Sequence, residues 1–245
     1  MSRRPAAGEP AAAPDAVPGT TSDAEPGAAA DAEPAASDAA PAVPADREPI
    51  GVTGAVIAGG RSRRMGTDKR GLLIDGVPML RRTVRAVAAV SDEVVLACRP
   101  ESPPDQELLA GLDVRLAFDR PGDVGPLGGV EAALRAARHP LVLVVAGDMP
   151  WVEPAVLAAL VAEAWRRPEM GCVALATERG PEPLAAVYRR DVALPAATRL
   201  LDAGRLRMHG LPESIPCVDL EPERWRPLDS TGRSARNVNE AADLA

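Results

Sequence analysis

Residues 52–69 read Val-Thr-Gly-Ala-Val-Ile-Ala-Gly-Gly-Arg-Ser-Arg-Arg-Met-Gly-Thr-Asp-Lys. This segment changes from a short apolar run, 54–58, to a loop that holds Gly59, Gly60 and four basic side chains. Adjacent glycines at the end of a strand let backbone N–H groups approach a ligand closely. Arginine and lysine side chains bind phosphate oxygens. The composition of the loop fits a phosphate-binding site and a solvated basic loop equally well.

The distribution of lysine favours the phosphate-binding interpretation. Lys69 is the only lysine among 28 basic residues. A lysine in a chain that otherwise uses arginine indicates a position that needs a compact point charge, with chance retention as the alternative. The loop is not a Walker motif, because Thr67 and Asp68 separate Gly66 from Lys69, and it is not Gly-x-Gly-x-x-Gly. A P-loop NTPase and a nicotinamide-binding Rossmann enzyme are therefore disfavoured.

Short apolar runs alternate along the chain with segments of helical spacing. The runs cover 54–58, 93–97, 114–118, 141–146 and 171–176. They are continuous rather than alternating, which is typical of strands covered on both faces. Apolar residues recur at intervals of three and four in 78–90, 127–138 and 154–165. The pattern predicts an α/β fold with three layers, in which a mostly parallel open sheet carries helices on both faces.

The first 50 residues differ in composition from the rest. They contain nine Asp or Glu and three Arg, and so carry −6 of the formal net charge of −7. Recurrent prolines prevent a continuous helix, and the segment has too few large apolar side chains to offset the entropy of ordering. We predict a disordered Ala/Pro/acidic tail over 1–50, with a docking arm as the alternative, and one domain over 51–245.

The overall composition excludes several classes of protein. There is no run of 18 apolar residues, so no membrane span is expected. Three widely spaced cysteines fit a reducing compartment better than a disulfide framework or a zinc cluster. The acidic charge balance disfavours a nucleic-acid partner. We therefore expect a cytoplasmic protein that binds neither nucleic acid nor membrane.

Two further motifs follow apolar runs, at the position where ligands bind in open parallel sheets. Residues 119–130 read Asp-Arg-Pro-Gly-Asp-Val-Gly-Pro-Leu-Gly-Gly-Val. A Gly-Pro pair that opens a helix leaves amide groups free beside Asp119, although a simple turn with a helix cap would look the same. Residues 145–150 read Val-Ala-Gly-Asp-Met-Pro. Asp148 is placed either to hold a divalent ion or to cap a helix that begins near Pro154.

The metal interpretation of Asp148 is the stronger of the two. Mg²⁺ is commonly held by one or two carboxylates, with phosphate oxygens and water completing its shell, so that one aspartate is sufficient. A phosphate-binding loop upstream makes such a role more plausible than capping alone. The sequence therefore predicts a magnesium-dependent phosphate site that combines Lys69 and Asp148.

Taken together, the motifs resemble the nucleotidyltransferases with a Rossmann-like fold. The Ala-Gly-Gly opening and the Arg-Met-Gly…Asp-Lys ending of the first loop most resemble the molybdenum cofactor guanylyltransferases of the MobA type. Cytidylyltransferase relatives usually carry Ala-Ala-Gly, and many sugar nucleotidyltransferases place Pro before the Lys, whereas this chain has Gly59 and Asp68. The resemblance runs from about Gly54 to Leu244, with three motifs in the same order.

The resemblance implies GTP as the nucleotide donor, molybdopterin cofactor as the acceptor, and Mg²⁺ bound by Asp148. It implies catalytic roles for Lys69, Asp148 and Arg64, and a place for Asp119 on the guanine side. The implied nucleotide-binding residues are Ile57, Ala58, Gly59, Gly60, Arg61, Lys69, Asp119, Gly125, Pro126, Leu127 and Asp148. Molybdoenzymes or cofactor-delivery proteins are the implied macromolecular partners.

Near the C-terminus, Asn237-Val-Asn239 resembles the closing Asn-x-Asn element of the family. Two amides one residue apart on an extended segment point the same way and could bind a pterin or a phosphate, or could equally be loop and cap residues. The 182–188 segment resembles the late strand that completes the acceptor side.

The chain departs from the family pattern at two places. Ala97 stands where the family commonly has an Asn that contacts nucleotide, and it is followed by Cys98 and Arg99. Glu240-Ala241 replaces the Thr-Pro of the closing motif. These departures bear on the choice of base and acceptor more than on the reaction. The alternatives are a cytidylyl- or other nucleotidyltransferase with a different phosphorylated acceptor, and a non-catalytic nucleotide-binding regulatory protein.

Overall fold

The computed structural model describes residues 50–59, 69–239 and 243. The predicted tail over 1–50 lies outside these residues except for Ile50, so its disorder stays a prediction, as does the 51–245 domain boundary. No helix among the described residues is long and apolar enough to cross a membrane.

The described residues form nine strands and seven helices, with short 3-10 turns at Lys69–Gly71 and Arg226–Leu228. The strands are β1 (Val52–Ile57), β2 (Leu73–Ile74), β3 (Val77–Pro78), β4 (Glu93–Cys98), β5 (Arg115–Phe118), β6 (Leu141–Ala146), β7 (Cys172–Thr177), β8 (Gly180–Arg189) and β9 (Cys217–Leu220). The helices are α1 (Met79–Ala88), α2 (Gln106–Leu109), α3 (Gly125–Ala136), α4 (Pro154–Arg166), α5 (Arg190–Asp202), α6 (Gly210–Glu213) and α7 (Pro222–Trp225).

Seven strands form one sheet in the order β5-β4-β1-β6-β8-β7-β9. β1 pairs in parallel with β4 and β6, and β4 with β5, while β8 runs antiparallel to both of its neighbours. The predicted mostly parallel open sheet is confirmed. The carboxyl ends of β1, β4, β5 and β6 meet at one edge, which is where ligands bind in folds of this kind.

The sheet is covered on both faces, which explains the continuous apolar runs. On β1, Val52 and Val56 face one core with helices α1 and α4, whereas Ala55 and Ile57 face a second core with α3 and α5. β6 is buried at every position. A strand buried on both sides needs apolar residues throughout, because no position faces water.

The predicted helices are confirmed, with small differences at their ends. The helix α3 begins at Gly125 rather than near Leu127. Gly125 has φ +65°, a left-handed conformation that glycine adopts without a steric cost, and Pro126 has the fixed φ of a first helical turn. The β2–β3 hairpin was not predicted, although its turn, Asp75-Gly76, is a typical signal for two-residue hairpins.

Close packing between β1 and α1 makes Gly54 a position that cannot take a side chain. A Cβ at Gly54 would overlap Val87 Cγ1 and would lie 2.6 Å from Ser91 Oγ. We expect Gly54→Ala to lower the free energy of unfolding by about 1–3 kcal/mol, the usual cost of overpacking a core, as measured by urea denaturation. Gly210→Ala is the control, since its Cβ would lie 3.9 Å from Leu200 Cδ2. Equal midpoints for Gly54→Ala and the unsubstituted protein would contradict this prediction.

Candidate active site

A small cavity opens at the carboxyl edge of the sheet, between β1, β6 and the Lys69–Gly71 turn. Its volume is about 160 Å³. The lining residues are Ile57, Ala58, Gly59, Lys69, Arg70, Met79, Pro126, Ala146, Gly147, Asp148 and Leu184. All three sequence motifs contribute to this cavity. Arg70 and Met79 were not predicted as site residues, and only Arg70 carried a signal, as a basic residue adjacent to the lysine. Leu184 belongs to the 182–188 segment that resembles the late strand of the family.

Lys69 and Asp148 form an ion pair in this cavity. Lys69 Nζ donates a hydrogen bond of 2.7 Å to Asp148 Oδ2, across 79 residues of sequence. The two side chains are 19% and 21% exposed, so both are reachable from solvent but largely enclosed. The fold therefore brings together the two residues that the motifs singled out.

The helix-capping alternative for Asp148 is wrong. The residue at the N-cap of α4 is Glu153, and no side chain caps that helix. The Asp148 side chain instead points to Lys69. Pro154 does occupy the first helical turn, as its position in the sequence predicts.

Asp148 can hold magnesium only together with ligands from outside the protein. Among residues 50–59, 69–239 and 243, no group of three His, Cys, Asp or Glu side chains could hold a metal ion. A single carboxylate beside an ammonium group is a poor cation site alone. It suits Mg²⁺ when substrate phosphate oxygens and water complete the shell, which is the common arrangement for this ion.

The segment around Val238 contacts both members of the ion pair. Val238 N–H donates to the Asp148 carbonyl oxygen at 2.8 Å, and Val238 C=O accepts from Lys69 Nζ at 3.3 Å. The Val238 side chain is buried against Ile74, Met79 and Trp151. A single backbone unit thus holds both partners of the pair.

The two asparagines of the closing motif flank this anchored valine. Asn237 is half-buried, and its Oδ1 atom is enclosed without a hydrogen-bond partner in the described part of the chain. Asn239 is exposed, and its backbone N–H donates to Asp243 Oδ2 at 2.6 Å. Both asparagines are therefore direct chain neighbours of the valine whose backbone contacts Lys69 and Asp148.

A cation–π contact and a hydrogen bond hold the closing segment, residues 233–239, in place. The Arg233 guanidinium lies 4.7 Å from the Trp151 ring centroid. Ser234 Oγ accepts from the Glu153 N–H at 3.2 Å. These contacts fix the closing segment on the loop that follows Asp148, with an attraction typical of a cation over an aromatic face.

Asp119 does not line the cavity but lies beside Gly59, which does, and the start of α3 reaches the cavity through Pro126. Asp119 N–H donates to the Cys98 carbonyl oxygen at 3.1 Å, which aligns the ends of β4 and β5. Its carboxyl lies beside Gly59, where a Cβ would be 3.6 Å from Asp119 Oδ2. Pro126 lines the cavity, but the Leu127 side chain is fully buried in the core, so that only its backbone is available to a ligand.

The turn that carries Lys69 is anchored by its neighbour. Arg70 donates to the Ser102 carbonyl oxygen at 2.9 Å and to Ser102 Oγ at 3.3 Å. This contact ties the turn to the segment after β4. The predicted site residues Gly60, Arg61 and Arg64 lie outside the described residues.

Comparison with known proteins identifies the family. Residues 54–211 match the model of the MobA-like NTP transferase domain. The chain is 38% identical to a probable molybdenum cofactor guanylyltransferase of Chloroflexus aggregans, over 79% of this chain and 91% of the relative. It is 36% identical to a protein of the same description from Natronomonas pharaonis, over 78% of this chain and 94% of the relative.

Solved structures show the same fold. Molybdopterin-guanine dinucleotide biosynthesis protein A of Archaeoglobus fulgidus superposes with a TM-score of 0.61 at 24% identity, over 78% of this chain and 94% of that one. A 2-C-methyl-D-erythritol 4-phosphate cytidylyltransferase of Thermus thermophilus superposes with a TM-score of 0.56 at 19% identity, over 78% and 94%. The matched domain and the curated relatives together show that this chain belongs to the family of MobA-like NTP transferase domains and is a nucleotidyltransferase.

Proposed function

We propose that this protein transfers GMP from GTP to the terminal phosphate of molybdopterin cofactor and releases pyrophosphate. The observation that carries the proposal is the Lys69–Asp148 pair, with 2.7 Å between Nζ and Oδ2, at the carboxyl edge of the sheet. The choice of guanine and of the acceptor rests on the names of the curated relatives.

The reaction needs positioning and charge neutralisation more than covalent chemistry. An oxygen of the acceptor phosphate attacks the α-phosphorus of GTP, the bond from the α-phosphorus to the bridging oxygen breaks, and pyrophosphate leaves. No covalent intermediate with the enzyme is required. Lys69 neutralises charge that develops on the α-phosphoryl and leaving groups, and a preorganised donor of this kind is worth most where the charge changes.

The other predicted residues take places around that centre. The Gly59 and Gly60 amides, Arg61 and Arg64 hold the triphosphate. Asp119, together with the backbone from Gly125 to Leu127, borders the nucleobase. Asn237 and Asn239 face the acceptor, which the contact between Val238 and the ion pair brings close to the reacting phosphates.

Asp148 would hold Mg²⁺, which supplies further neutralisation of the phosphate charges when bound. Because Lys69 lies against the same carboxylate, its positive charge opposes a second cation there until phosphates arrive. Asp148 is therefore expected to take up the metal together with the nucleotide rather than before it.

A nucleotide panel tests the proposed function. The purified full-length chain is incubated with Mg²⁺, molybdopterin cofactor and one of GTP, CTP, ATP or UTP, and pyrophosphate release is followed. We expect release with GTP and loss of release on addition of EDTA. Release with CTP instead of GTP would identify the activity as that of a cytidylyltransferase. The absence of both pyrophosphate release and GTP binding would overturn the proposal.

A further inference from the structure

Cys172 and Cys217, which are far apart in the sequence, are direct neighbours on adjacent strands. β7 and β9 pair in parallel, and their register places Cys172 opposite Cys217 at the first position of the pairing. Just there, the N–H groups of Gly171 and Cys172 both donate to the Pro216 carbonyl oxygen, at 2.8 and 3.0 Å. The two backbones are therefore held at the ordinary spacing of neighbouring strands, about 4.8 Å.

The side chains of these two cysteines lie on the same face of the sheet. Cys172 is 1% exposed and belongs to the core that also contains residues of α3 and α5. Cys217 is half-buried and packs against the same core. Hydrogen bonding between the two thiols lowers the pKa of Cys217 and raises the pKa of Cys172. The sulfur atoms, as well as the backbones, are thus adjacent.

The third cysteine of the chain, Cys98, lies on a distant strand. It ends β4, and the strands β1, β6 and β8 separate β4 from β7 in the sheet. Its side chain is fully buried. All three cysteines are free thiols in the structure. Only Cys172 and Cys217 can therefore react with each other while the fold is intact.

The geometry of the pair suits a disulfide bond. Disulfides join residues whose Cα atoms are about 4.4–6.8 Å apart, and the spacing of adjacent strands lies within that range. A bond between the two sulfur atoms needs rotation of the side chains but no change in strand pairing. β9 is the outermost strand of the sheet, so that Cys217 is reachable from solvent. Cys172 is enclosed between Cys217 and Tyr188, its register partner on β8.

The pair lies at the opposite end of the strands from the candidate active site. Cys172 is opposite Tyr188 in the register, and Tyr188 is opposite Val142, near the start of β6. The cavity is lined instead by Ala146, at the end of β6, and by Asp148 beyond it. Chemistry at the cysteines is therefore separate from the nucleotide site and does not depend on the proposed function.

We infer that Cys172 and Cys217 form a thiol–disulfide exchange site, which reacts with low-molecular-weight disulfides of the glutathione class and closes into an intramolecular disulfide between β7 and β9. The Cys217 thiolate attacks one sulfur of oxidised glutathione, and the first glutathione leaves as a thiolate that takes up the proton lost by Cys217. Cys172 then gives up its proton and attacks Sγ of Cys217, and the second glutathione leaves as a thiol. Two protein thiols are oxidised, and one glutathione disulfide is reduced to two thiols.

The bond would fasten an edge strand that leads to the closing segment. After β9 the chain enters α7, where Trp225 Nε1 donates to the Ala176 carbonyl oxygen of β7 at 3.0 Å. A disulfide between positions 172 and 217 closes a long loop, which restricts the unfolded chain more than the folded one. The oxidised protein should therefore be more stable than the reduced protein.

The experiment exposes the folded full-length chain to glutathione buffers with an increasing oxidised fraction, alkylates the remaining thiols and maps them by mass spectrometry. We expect Cys172 and Cys217 to be lost together as one linked pair of peptides, while Cys98 is alkylated at every ratio. The thermal midpoint should rise by about 5–10 °C on oxidation, the scale expected for a long closed loop in a domain of this size. Dithiothreitol should reverse both changes.

Two variants and one probe test whether the two thiols act as a unit. Cys217→Ser should lose both the disulfide and the rise in thermal midpoint, whereas the matched control Cys98→Ala should keep both. Phenylarsine oxide, which binds two neighbouring thiols at once, should bind the unsubstituted chain in a one-to-one ratio and block the disulfide. The arsenical measurement needs no variant and remains decisive if Cys217→Ser does not fold.

The inference is overturned if all three thiols stay reduced in the most oxidising buffer, or if the reaction stops at a mixed glutathione disulfide on Cys217. A disulfide of the folded chain that contains Cys98 overturns it as well. If the linked peptides form but the thermal midpoint is unchanged, the stabilising role is wrong. Pyrophosphate release enters none of these measurements, so that failure of the proposed function is recognised separately.

Discussion

Lys69→Ala is expected to lower turnover by about two to three orders of magnitude, the scale observed when one preorganised stabilising group is removed from a reacting centre. The effect should fall mainly on kcat, because the positive charge matters most as charge develops on the α-phosphoryl and leaving groups. Pyrophosphate release under saturating GTP and acceptor measures it. The fold should tolerate the change, since the Lys69 side chain is partly exposed and contributes no core packing.

Lys69→Arg tests why this position holds the only lysine of the chain. A planar guanidinium is larger than an ammonium group and cannot occupy the same place between Asp148 Oδ2 and the Val238 carbonyl oxygen. We therefore expect Lys69→Arg to remain well below normal turnover. Arg226→Ala is the matched control for loss of a basic side chain elsewhere. Near-normal turnover in Lys69→Ala would remove Lys69 from the proposed mechanism.

Asp148→Asn is expected to lower turnover by about a thousandfold, several kcal/mol of transition-state stabilisation, and to remove its dependence on divalent cation concentration. The substitution keeps the shape of the side chain but removes the charge that would hold the metal. The thermal midpoint should change little, because the ion pair that is lost is partly exposed to solvent and the carboxylate caps no helix. Pyrophosphate release measured against Mg²⁺ concentration, together with a thermal unfolding curve, gives both quantities.

Glu153→Gln provides a matched carboxylate control. Glu153 Oε1 accepts hydrogen bonds from Ser230 Oγ at 2.6 Å and from the Thr231 N–H at 3.0 Å, so its role is to hold the closing segment. This variant should lower stability and leave the magnesium dependence in place. If Asp148→Asn retained the normal magnesium dependence, another group would have to hold the metal.

Much of the fold could be predicted from local patterns. The runs 93–97 and 141–146 became β4 and β6 with ends that differ by no more than one residue. Such runs are reliable because a strand covered on both faces has no polar position to interrupt it. Helix ends were less certain: α3 begins at Gly125, two residues before the predicted start, and Gly125 has a left-handed conformation.

The antiparallel direction of β8 was not predictable from its composition. Its apolar residues would suit either direction, and the choice depends on the short turn between Thr177 and Gly180, which returns the chain beside β7. Gly180 has φ +101°, a conformation that favours glycine. A connection this short permits only an antiparallel neighbour, since a parallel one needs a long crossover.

Part of the candidate site, too, could be predicted from the sequence, whereas another part depended on tertiary packing. The ion pair could be identified from the sequence, because Lys69 and Asp148 each come after an apolar strand and parallel strands end at one edge of the sheet. The contacts of Val238 with that pair, and the burial of Asp119, carry no local signal. They depend on how separate segments pack across the edge.

The sequence by itself determined the layered α/β architecture and the two members of the charged pair, because the patterns that indicate them are local in the chain. Only the tertiary structure decided that Asp148 faces Lys69 rather than a helix end, and that the Val238 backbone contacts both residues. These are contacts between distant segments. Their geometry follows from the packing of the whole sheet and its helices, which no short stretch of sequence specifies.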